Sequence, residues 1–243
     1  MTMNRAAFFK AVRASLFDDV LKQGQVEGLT AILDRWAQMP APADRRWLAY
    51  MLATAHHETG RTMQPVRETF AKTDERAIAI LEAAFRKGSL PSVSVAYWRR
   101  DGEGKSWLGR GLVQLTHRAN YETMAAATGI DLLTHPERAM ELPVAVDILF
   151  TGMQSGAFTG KKLGDYFSLS RESWTGARRI INGRDRAELV ASYGKQYLAA
   201  LRLAPGAPPA TGRVTEPSPG HDSFESTPLC HFVTSPPRGG DRE

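Results

Sequence analysis

Residues 44–60 read DRRWLAYMLATAHHETG, and this stretch predicts the central helix of a helical protein. Its core-facing residues recur at helical spacing and form one stripe: Leu48, Met51, Leu52, Ala55 and Thr59. Asp44 is a suitable N-cap and Gly60 a suitable stop, so we expect a half-buried helix over residues 45–58. Glu58, the last residue of this helix, lies about 80° from the centre of the stripe on a helical wheel. Its carboxyl group is therefore expected at the rim of the core.

The same periodicity recurs along the chain and predicts a mainly α fold of six or seven helices in total. The further helices are expected around residues 29–36, 74–87, 117–128, 143–155, 171–181 and 186–202. Strand patterns are confined to residues 93–98 and 112–115, which a glycine-rich segment separates. The fold class is thus mainly α, with at most a small β-hairpin at that place.

Composition indicates one globular domain followed by a tail. The chain has 243 residues, of which 42% are apolar and 23% charged, which is typical of a folded protein. Residues 204–243 are rich in proline and glycine without periodicity, and we predict that they are disordered. Cys230 is the only cysteine, so no intramolecular disulfide is possible. We therefore expect one domain over residues 1–203 and a monomeric protein.

The charge pattern favours a polyanionic partner for that domain. The net charge is +5, but residues 204–243 hold three arginines against five acidic residues, so the domain itself carries +7. Its basic residues are scattered and no recognition motif accompanies them, so nucleic acid is not an expected partner. Residues 1–10 lack the apolar core of a signal peptide, and no apolar run is long enough for a membrane span. We expect cytoplasmic synthesis, no stable membrane insertion, and release by another system.

The dipeptide His57-Glu58 raises the possibility of a zinc protease. That motif requires a second histidine four residues after the first, and position 61 is Arg61. No other cluster of histidines or cysteines has the spacing of metal ligands. We expect neither a metal nor another cofactor.

Two carboxylates ten residues apart, Glu58 and Glu68, suggest glycoside hydrolysis, because that chemistry uses a carboxylic acid facing a carboxylate. Ten residues of helix rise ~15 Å, more than the roughly 6.5–9.5 Å between the carboxyl groups of an inverting enzyme. Gly60 and Pro65 break the helix and let the chain fold back. Partial burial would keep Glu58 protonated as the acid, and Glu68, beside Arg67, would stay ionised as the base.

Residues 109–121 read GRGLVQLTHRANY and combine glycines with amides, a hydroxyl group and an aromatic ring. Glycines allow close backbone approach, and the polar side chains suit the hydroxyl groups of a sugar. Trp98 and Trp107, in the glycine-rich region, are candidates for exposed rings that stack on sugars.

Three segments, residues 57–59, 109–121 and 180–183, resemble glycoside hydrolase family 19, which contains plant-type chitinases and phage endolysins. The resemblance covers roughly residues 45–200. It implies a two-lobed, lysozyme-like helical fold and an inverting mechanism, with Glu58 as general acid and Thr116 helping to hold the attacking water. The residues expected to bind the sugar are His57, Arg110, Gln114, Asn120, Tyr121 and Asn182.

The chain also departs from the plant enzymes of that family. The interval from Glu58 to the next carboxylate is short, so Glu75, Asp101 and Glu103 remain alternatives to Glu68 as the base. Disulfides and the loops that extend the chitin cleft are missing, which favours a bacterial or phage enzyme. We expect an N-acetylmuramidase or endolysin that cleaves β-1,4 links of peptidoglycan. A chitinase, or an inactive module that binds wall glycans, are the alternatives.

Overall fold

The computed structural model describes residues 3–40, 43–91 and 93–204. These residues contain seven α-helices, which confirms the mainly α fold class. The helices are α1 (Arg5–Leu16), α2 (Gln23–Ala37), α3 (Arg45–Glu58), α4 (Asp74–Arg86), α5 (Arg118–Thr128), α6 (Leu142–Ser155) and α7 (Ala187–Leu203). None of the described helices is long and apolar enough to cross a membrane. The predicted disordered tail lies outside the described residues from position 205 onward, and so does Cys230.

Helix α3 begins and ends as its sequence predicts. The side chain of Asp44 accepts a hydrogen bond from the backbone N–H of Arg46 at 2.9 Å, which caps the helix. At the other end Gly60 adopts a positive φ of 55°, a conformation that a glycine takes at little cost. Residues 48–56 are all buried, so α3 is enclosed on more sides than a half-buried helix. It packs mainly against α7, which also contacts α1.

The buried apolar residues form two separate clusters. The larger one unites α1, α2, α3, α5, α6 and α7, and includes the rings of Tyr50, Phe150 and Tyr197. The smaller one lies under α4 and consists of Ala77, Leu81, Leu90, Tyr97, Trp98 and Leu108. All six members of the smaller cluster lie between Glu58 and Arg110, whereas the helices before and after this part of the chain contribute to the larger cluster.

Four strands of two residues each complete the described fold. Strand β1 (Val66–Arg67) pairs antiparallel with β2 (Arg110–Gly111), with Val66 opposite Gly111. Strand β3 (Phe167–Ser168) pairs with β4 (Arg171–Glu172) in a small hairpin. The first pairing matters for the site, because it continues into a hydrogen bond of 2.7 Å from the Glu68 N–H to the Gly109 carbonyl.

The hairpin predicted over residues 93–98 and 112–115 is wrong. Tyr97 and Trp98 turn into the smaller apolar cluster instead of pairing with another strand. Residues 110–115 close on themselves, with reciprocal backbone hydrogen bonds between Arg110 and Leu115 of 3.2 and 2.9 Å and a positive φ of 53° at Gln114. The apolar pattern therefore marked a partly exposed loop that ends in Tyr97 and Trp98, and a buried turn at residues 110–115.

The α-helix predicted over residues 171–181 is also wrong, although the other predicted helices are confirmed within a few residues or, around 29–36, as part of a longer helix. This segment forms β4 and then a short 3-10 helix, Gly176–Ile180. Its apolar residues Trp174, Ala177 and Ile181 are buried as helical spacing suggested. The segment forms a 3-10 helix where the Arg178 side chain points inward to its ionic partner Glu58. Helix propensity alone does not reveal this partner.

Candidate active site

Glu58 lies at the C-terminal end of α3 in a buried ion pair with Arg178. The Nη1 atom of Arg178 donates to Oε1 of Glu58 at 2.5 Å, and their side chains are 1% and 0% exposed. Burial raises the pKa of Glu58, because water no longer solvates the charged form, while the Arg178 guanidinium acts in the opposite direction. The sequence placed this carboxyl at the rim of the core, and the structure encloses it completely.

Two polar atoms beside this pair are enclosed without a hydrogen bond to any described residue. They are Oε2 of Glu58 and Nε2 of His57. Burial, and secondarily the charge of Arg178, lower the pKa of His57 to about 4, so its ring is neutral at pH 7. Buried polar atoms in native proteins nearly always have partners, and Tyr50 and Thr54 of α3 also carry a buried atom without one.

The second predicted carboxylate, Glu68, is half-buried and lies in the turn after β1. Its Oε1 atom accepts a hydrogen bond from the hydroxyl of Tyr97 at 2.6 Å, and its Oε2 atom accepts one from the Gly109 N–H at 2.8 Å. Two donors directed at one carboxyl group stabilise a negative charge on it. Its surroundings thus differ from those of Glu58 in burial and in hydrogen bonding.

Gly109 is the point at which Glu68 meets the 109–121 segment. A Cβ atom at this position would lie 2.9 Å from Oε1 of Gln114, 3.1 Å from Cγ2 of Thr116 and 3.3 Å from Cβ of Glu68. Only glycine fits these distances without displacing a neighbour. The close backbone approach predicted for the glycines of this segment is therefore found at Gly109, and it brings Glu68, Gln114 and Thr116 together.

A crevice with a volume of about 10 Å³, the space of roughly one water molecule, adjoins this group. It is lined by Val113, Gln114, Leu115, Thr116, Asn120, Phe158 and Ile181. The amide of Gln114 is fixed by donating to the Val66 carbonyl at 2.9 Å, and that of Asn120 by donating to the Thr116 carbonyl at 2.8 Å. Three of the predicted site residues thus share one pocket wall.

Arg110 and Tyr121 were predicted to bind the sugar, and the structure buries both and engages their polar atoms inside the protein. Arg110 is 1% exposed and Tyr121 is 0% exposed. The Arg110 guanidinium binds Asp74 and donates to the Tyr121 hydroxyl at 2.9 Å, and that hydroxyl donates to the Leu108 carbonyl. The two residues therefore stabilise the 109–121 segment from within the protein, because a buried guanidinium must satisfy its donors there.

The two tryptophans expected to be exposed are buried as well. Trp98 is 0% exposed and packs edge-on against Tyr97 at 5.0 Å between ring centroids. Trp107 is 7% exposed and donates through Nε1 to Asp101 at 3.0 Å. Neither ring has a face open to stack on a sugar.

The alternative bases make other contacts. Glu75 is exposed and pairs with Arg100 at 2.7 Å, and Glu103 pairs with Lys105 at 2.6 Å. The carboxylate of Asp101 closes its own loop by accepting from the backbone N–H groups of residues 103 and 105. Of these four carboxylates, Glu68 is the one that accepts a hydrogen bond from the Gly109 N–H among the described residues. Glu68 is therefore the base that the geometry favours.

The structure arranges the predicted residues in two groups that are joined by residues 178–182. One group contains Glu58, His57 and Arg178, and the other contains Glu68, Gln114, Thr116 and Asn120. Ile181 lines the pocket of the second group, and the half-buried Asn182 donates its N–H to the Arg178 carbonyl at 2.9 Å. The 3-10 helix is thus the shared wall of the two groups.

Sequence reasoning missed two residues of this site, Arg178 and Tyr97. A signal for Arg178 was present, since positions 174, 177, 178 and 181 follow the spacing i, i+3, i+4, i+7 and place an arginine on the buried face. A charge on such a face implies an ionic partner. Tyr97 carried no comparable signal, because its contact with Glu68 spans 29 residues.

Comparison of the sequence with protein-family models matched no family, and comparison with curated proteins matched no relative.

Proposed function

We propose that this protein is an inverting glycoside hydrolase of the family 19 type that cleaves β-1,4 links of bacterial peptidoglycan. The observation that carries the proposal is the contrast between the two carboxyl groups. Glu58 is enclosed, has a raised pKa and keeps one oxygen unpartnered, whereas Glu68 is half-buried and accepts two hydrogen bonds. An acid and a base with opposite surroundings are what a single displacement requires.

In the proposed reaction Glu58 donates its proton to the glycosidic oxygen from Oε2, the atom not engaged by Arg178. The bond from the anomeric carbon to that oxygen breaks while a water molecule attacks the opposite face of the sugar. Glu68 accepts a proton from this water, and Thr116, beside Gly109, helps to hold it. Gln114, Asn120 and Asn182 contact sugar hydroxyl or amide groups.

Proton donation requires contact between Glu58 and the substrate, and the enclosed carboxyl must become accessible for this. The segment that covers it contains Arg178, whose Nε atom donates to the Asp185 carbonyl at 2.8 Å. Residues 183–186 are exposed and include positive φ values at Gly183 and Arg186. Movement of this turn on substrate binding is therefore part of the proposal.

One observation favours a function of a different class. Glu58 is fully enclosed, and a buried glutamate–arginine pair is also a common structural device, so the chain could be an inactive module that binds wall glycans. In that case Gln114, Thr116 and Asn120 would contact a wall sugar without hydrolysis. Chitin oligomers, which share the β-1,4 linkage, are the alternative substrate.

Parallel digestion separates these functions. Purified peptidoglycan and chitin oligomers are incubated with the protein, and new reducing ends are identified by mass spectrometry. The proposal predicts cleavage of peptidoglycan at a β-1,4 link, and faster cleavage of peptidoglycan than of chitin. Binding of either polymer without new reducing ends would favour the module, and cleavage of chitin alone would favour the chitinase.

A further inference from the structure

Next to Glu58 and Arg178 lies a second, wider depression with a basic lining. Its volume is about 660 Å³, within the ~300–1,000 Å³ of ligand pockets. It is lined by Ser173, Thr175, Gly176, Arg179, Arg184, Arg186, Ala187, Glu188 and Leu189. We call it the arginine pocket.

The three arginines of this pocket have no ionic partners in the described part of the chain. Arg179, Arg184 and Arg186 make no salt bridge and donate no side-chain hydrogen bond to another described residue. Glu188 is the one acidic lining residue, so the lining carries a net charge of +2.

Hydroxyl groups and a helix end add to this surplus. Ser173 and Thr175 supply hydroxyl donors, and α7 begins at Ala187 without a side-chain cap, although the Ala187 N–H itself donates to the Arg184 carbonyl at 3.2 Å. Guanidinium groups with nearby hydroxyl donors suit carboxylate or phosphate groups, which accept bidentate hydrogen bonds. The pocket is thus suited to an anionic ligand.

The pocket is continuous in sequence with the residues around Glu58. Arg179 follows Arg178, which pairs with Glu58, and Arg184 and Arg186 flank Asp185, whose carbonyl accepts from Arg178. Thr159 fixes the shared segment by donating its hydroxyl to the carbonyls of Arg179 and Ile180. The arginine pocket and the candidate acid are thus linked through the segment from Arg178 to Arg186.

We propose that the arginine pocket binds the carboxylate groups of the peptide stems of peptidoglycan. The inference rests on the proposed function, and it specifies which feature of the substrate the protein recognises. Chitin strands are uncharged and offer nothing to three unpaired arginines, whereas each peptide stem of peptidoglycan carries carboxylates close to its sugar. The pocket would thereby select the bacterial polymer over chitin.

The test measures binding to two forms of one polymer. Sacculi are freed of phosphodiester-linked polymers with hydrofluoric acid, and half are then treated with a carbodiimide and ammonia, which converts the stem carboxylates to uncharged amides and leaves the sacculi insoluble. The double variant R184Q/R186Q is compared with R76Q/K87Q, which loses the same charge at exposed positions outside the pocket. Cosedimentation on ice gives the affinity, and circular dichroism checks folding.

We expect R184Q/R186Q to bind carboxylate-bearing sacculi roughly tenfold more weakly than the original protein, about 1.4 kcal/mol, and to bind amidated sacculi within twofold of the original protein. The control variant should bind both like the original. Equal losses on both polymers, or no loss on either, would overturn the inference. A loss that occurs only before hydrofluoric acid treatment would assign the pocket to phosphate and also overturn it.

Hydrolysis of both forms of the sacculi by the unaltered protein is recorded in the same experiment. If the protein cleaves neither polymer, the proposed function fails, while the binding data still decide on the arginine pocket. If it cleaves both but the variants do not differ, the inference fails alone.

Discussion

The carboxylate of Glu58 and the guanidinium of Arg178 form a buried ion pair 2.5 Å long between residues 120 positions apart in the chain. Helix α3 supplies the glutamate of this pair, and the 3-10 helix Gly176–Ile180 supplies the arginine. Only one carboxyl oxygen of Glu58 is engaged by Arg178, and in the proposed reaction the other carries the proton that is donated. The effects that we expect of Glu58→Gln and Arg178→Gln follow from this ion pair.

Glu58→Gln should lower kcat on peptidoglycan about 10²- to 10⁴-fold, the range that a positioned general acid contributes. The glutamine carbonyl can still accept from Arg178, so the protein should fold. Reducing-end release measures the rate, and circular dichroism checks the fold. Glu122→Gln, on the exposed face of α5, is the matched control and should retain full activity. A folded, fully active Glu58→Gln protein would refute the acid role.

Arg178→Gln should move the alkaline limb of the pH–rate profile upward by about one pH unit. Arg178 lowers the pKa of Glu58, so its loss raises that pKa further and keeps the acid protonated to higher pH. The profile of kcat against pH measures the change. Arg35→Gln, which breaks the partly exposed pair with Asp147, should leave the profile in place. An unmoved limb in Arg178→Gln would show that Glu58 does not titrate in the reaction.

Tyr97→Phe should reduce kcat roughly tenfold, since a hydrogen bond to a charged group contributes about 1.5–3 kcal/mol. The hydroxyl of Tyr97 donates to Oε1 of Glu68 at 2.6 Å, and without it the carboxylate loses one of two restraints. Tyr193→Phe removes a hydroxyl from a half-buried ring of α7 and serves as the control. Equal rates for the two variants would argue against Glu68 as the base.

Gly109→Ala should destabilise the protein by about 1–3 kcal/mol and reduce activity. The added methyl group meets Gln114, Thr116 and Glu68 at 2.9–3.3 Å, so these groups must shift. At Gly102 the same atom meets nothing within 4 Å, and Gly102→Ala should be neutral. Thermal unfolding and initial rates measure both effects. If Gly109→Ala kept the original stability and rate, the close approach of Gln114, Thr116 and Glu68 at Gly109 would not be required for function.

Stability should fall as the pH decreases from about 6.5 to about 4. Burial lowers the pKa of His56 to about 3 and that of His57 to about 4, so both are neutral when folded and take up protons on unfolding below 6.5. Each contributes up to about 1.4 kcal/mol per pH unit over this window. His56→Gln, which retains a partner for Tyr197, should flatten the dependence measured by urea unfolding. An unchanged slope would contradict the assignment.

The sequence predicted what local periodicity determines. The stripe from Leu48 to Ala55 predicted α3 with its cap and its stop, and Glu58 followed at its end. The burial of Arg110 and Tyr121 was not predictable, because it depends on Asp74, which reaches them from another helix. For the same reason the wheel placed Glu58 at a rim, since it contained no information about Arg178. Contacts between distant segments decide which polar residues face the pocket.

The central claim is tested most directly by the anomeric form of the first product. Proton NMR of a β-1,4-linked oligosaccharide during cleavage, before mutarotation, reports the configuration at the new reducing end. With Glu58 as acid and Glu68 as base of a single displacement, the α-anomer should form first. A β-anomer that forms first, or no cleavage of either peptidoglycan or chitin oligomers, would contradict the account.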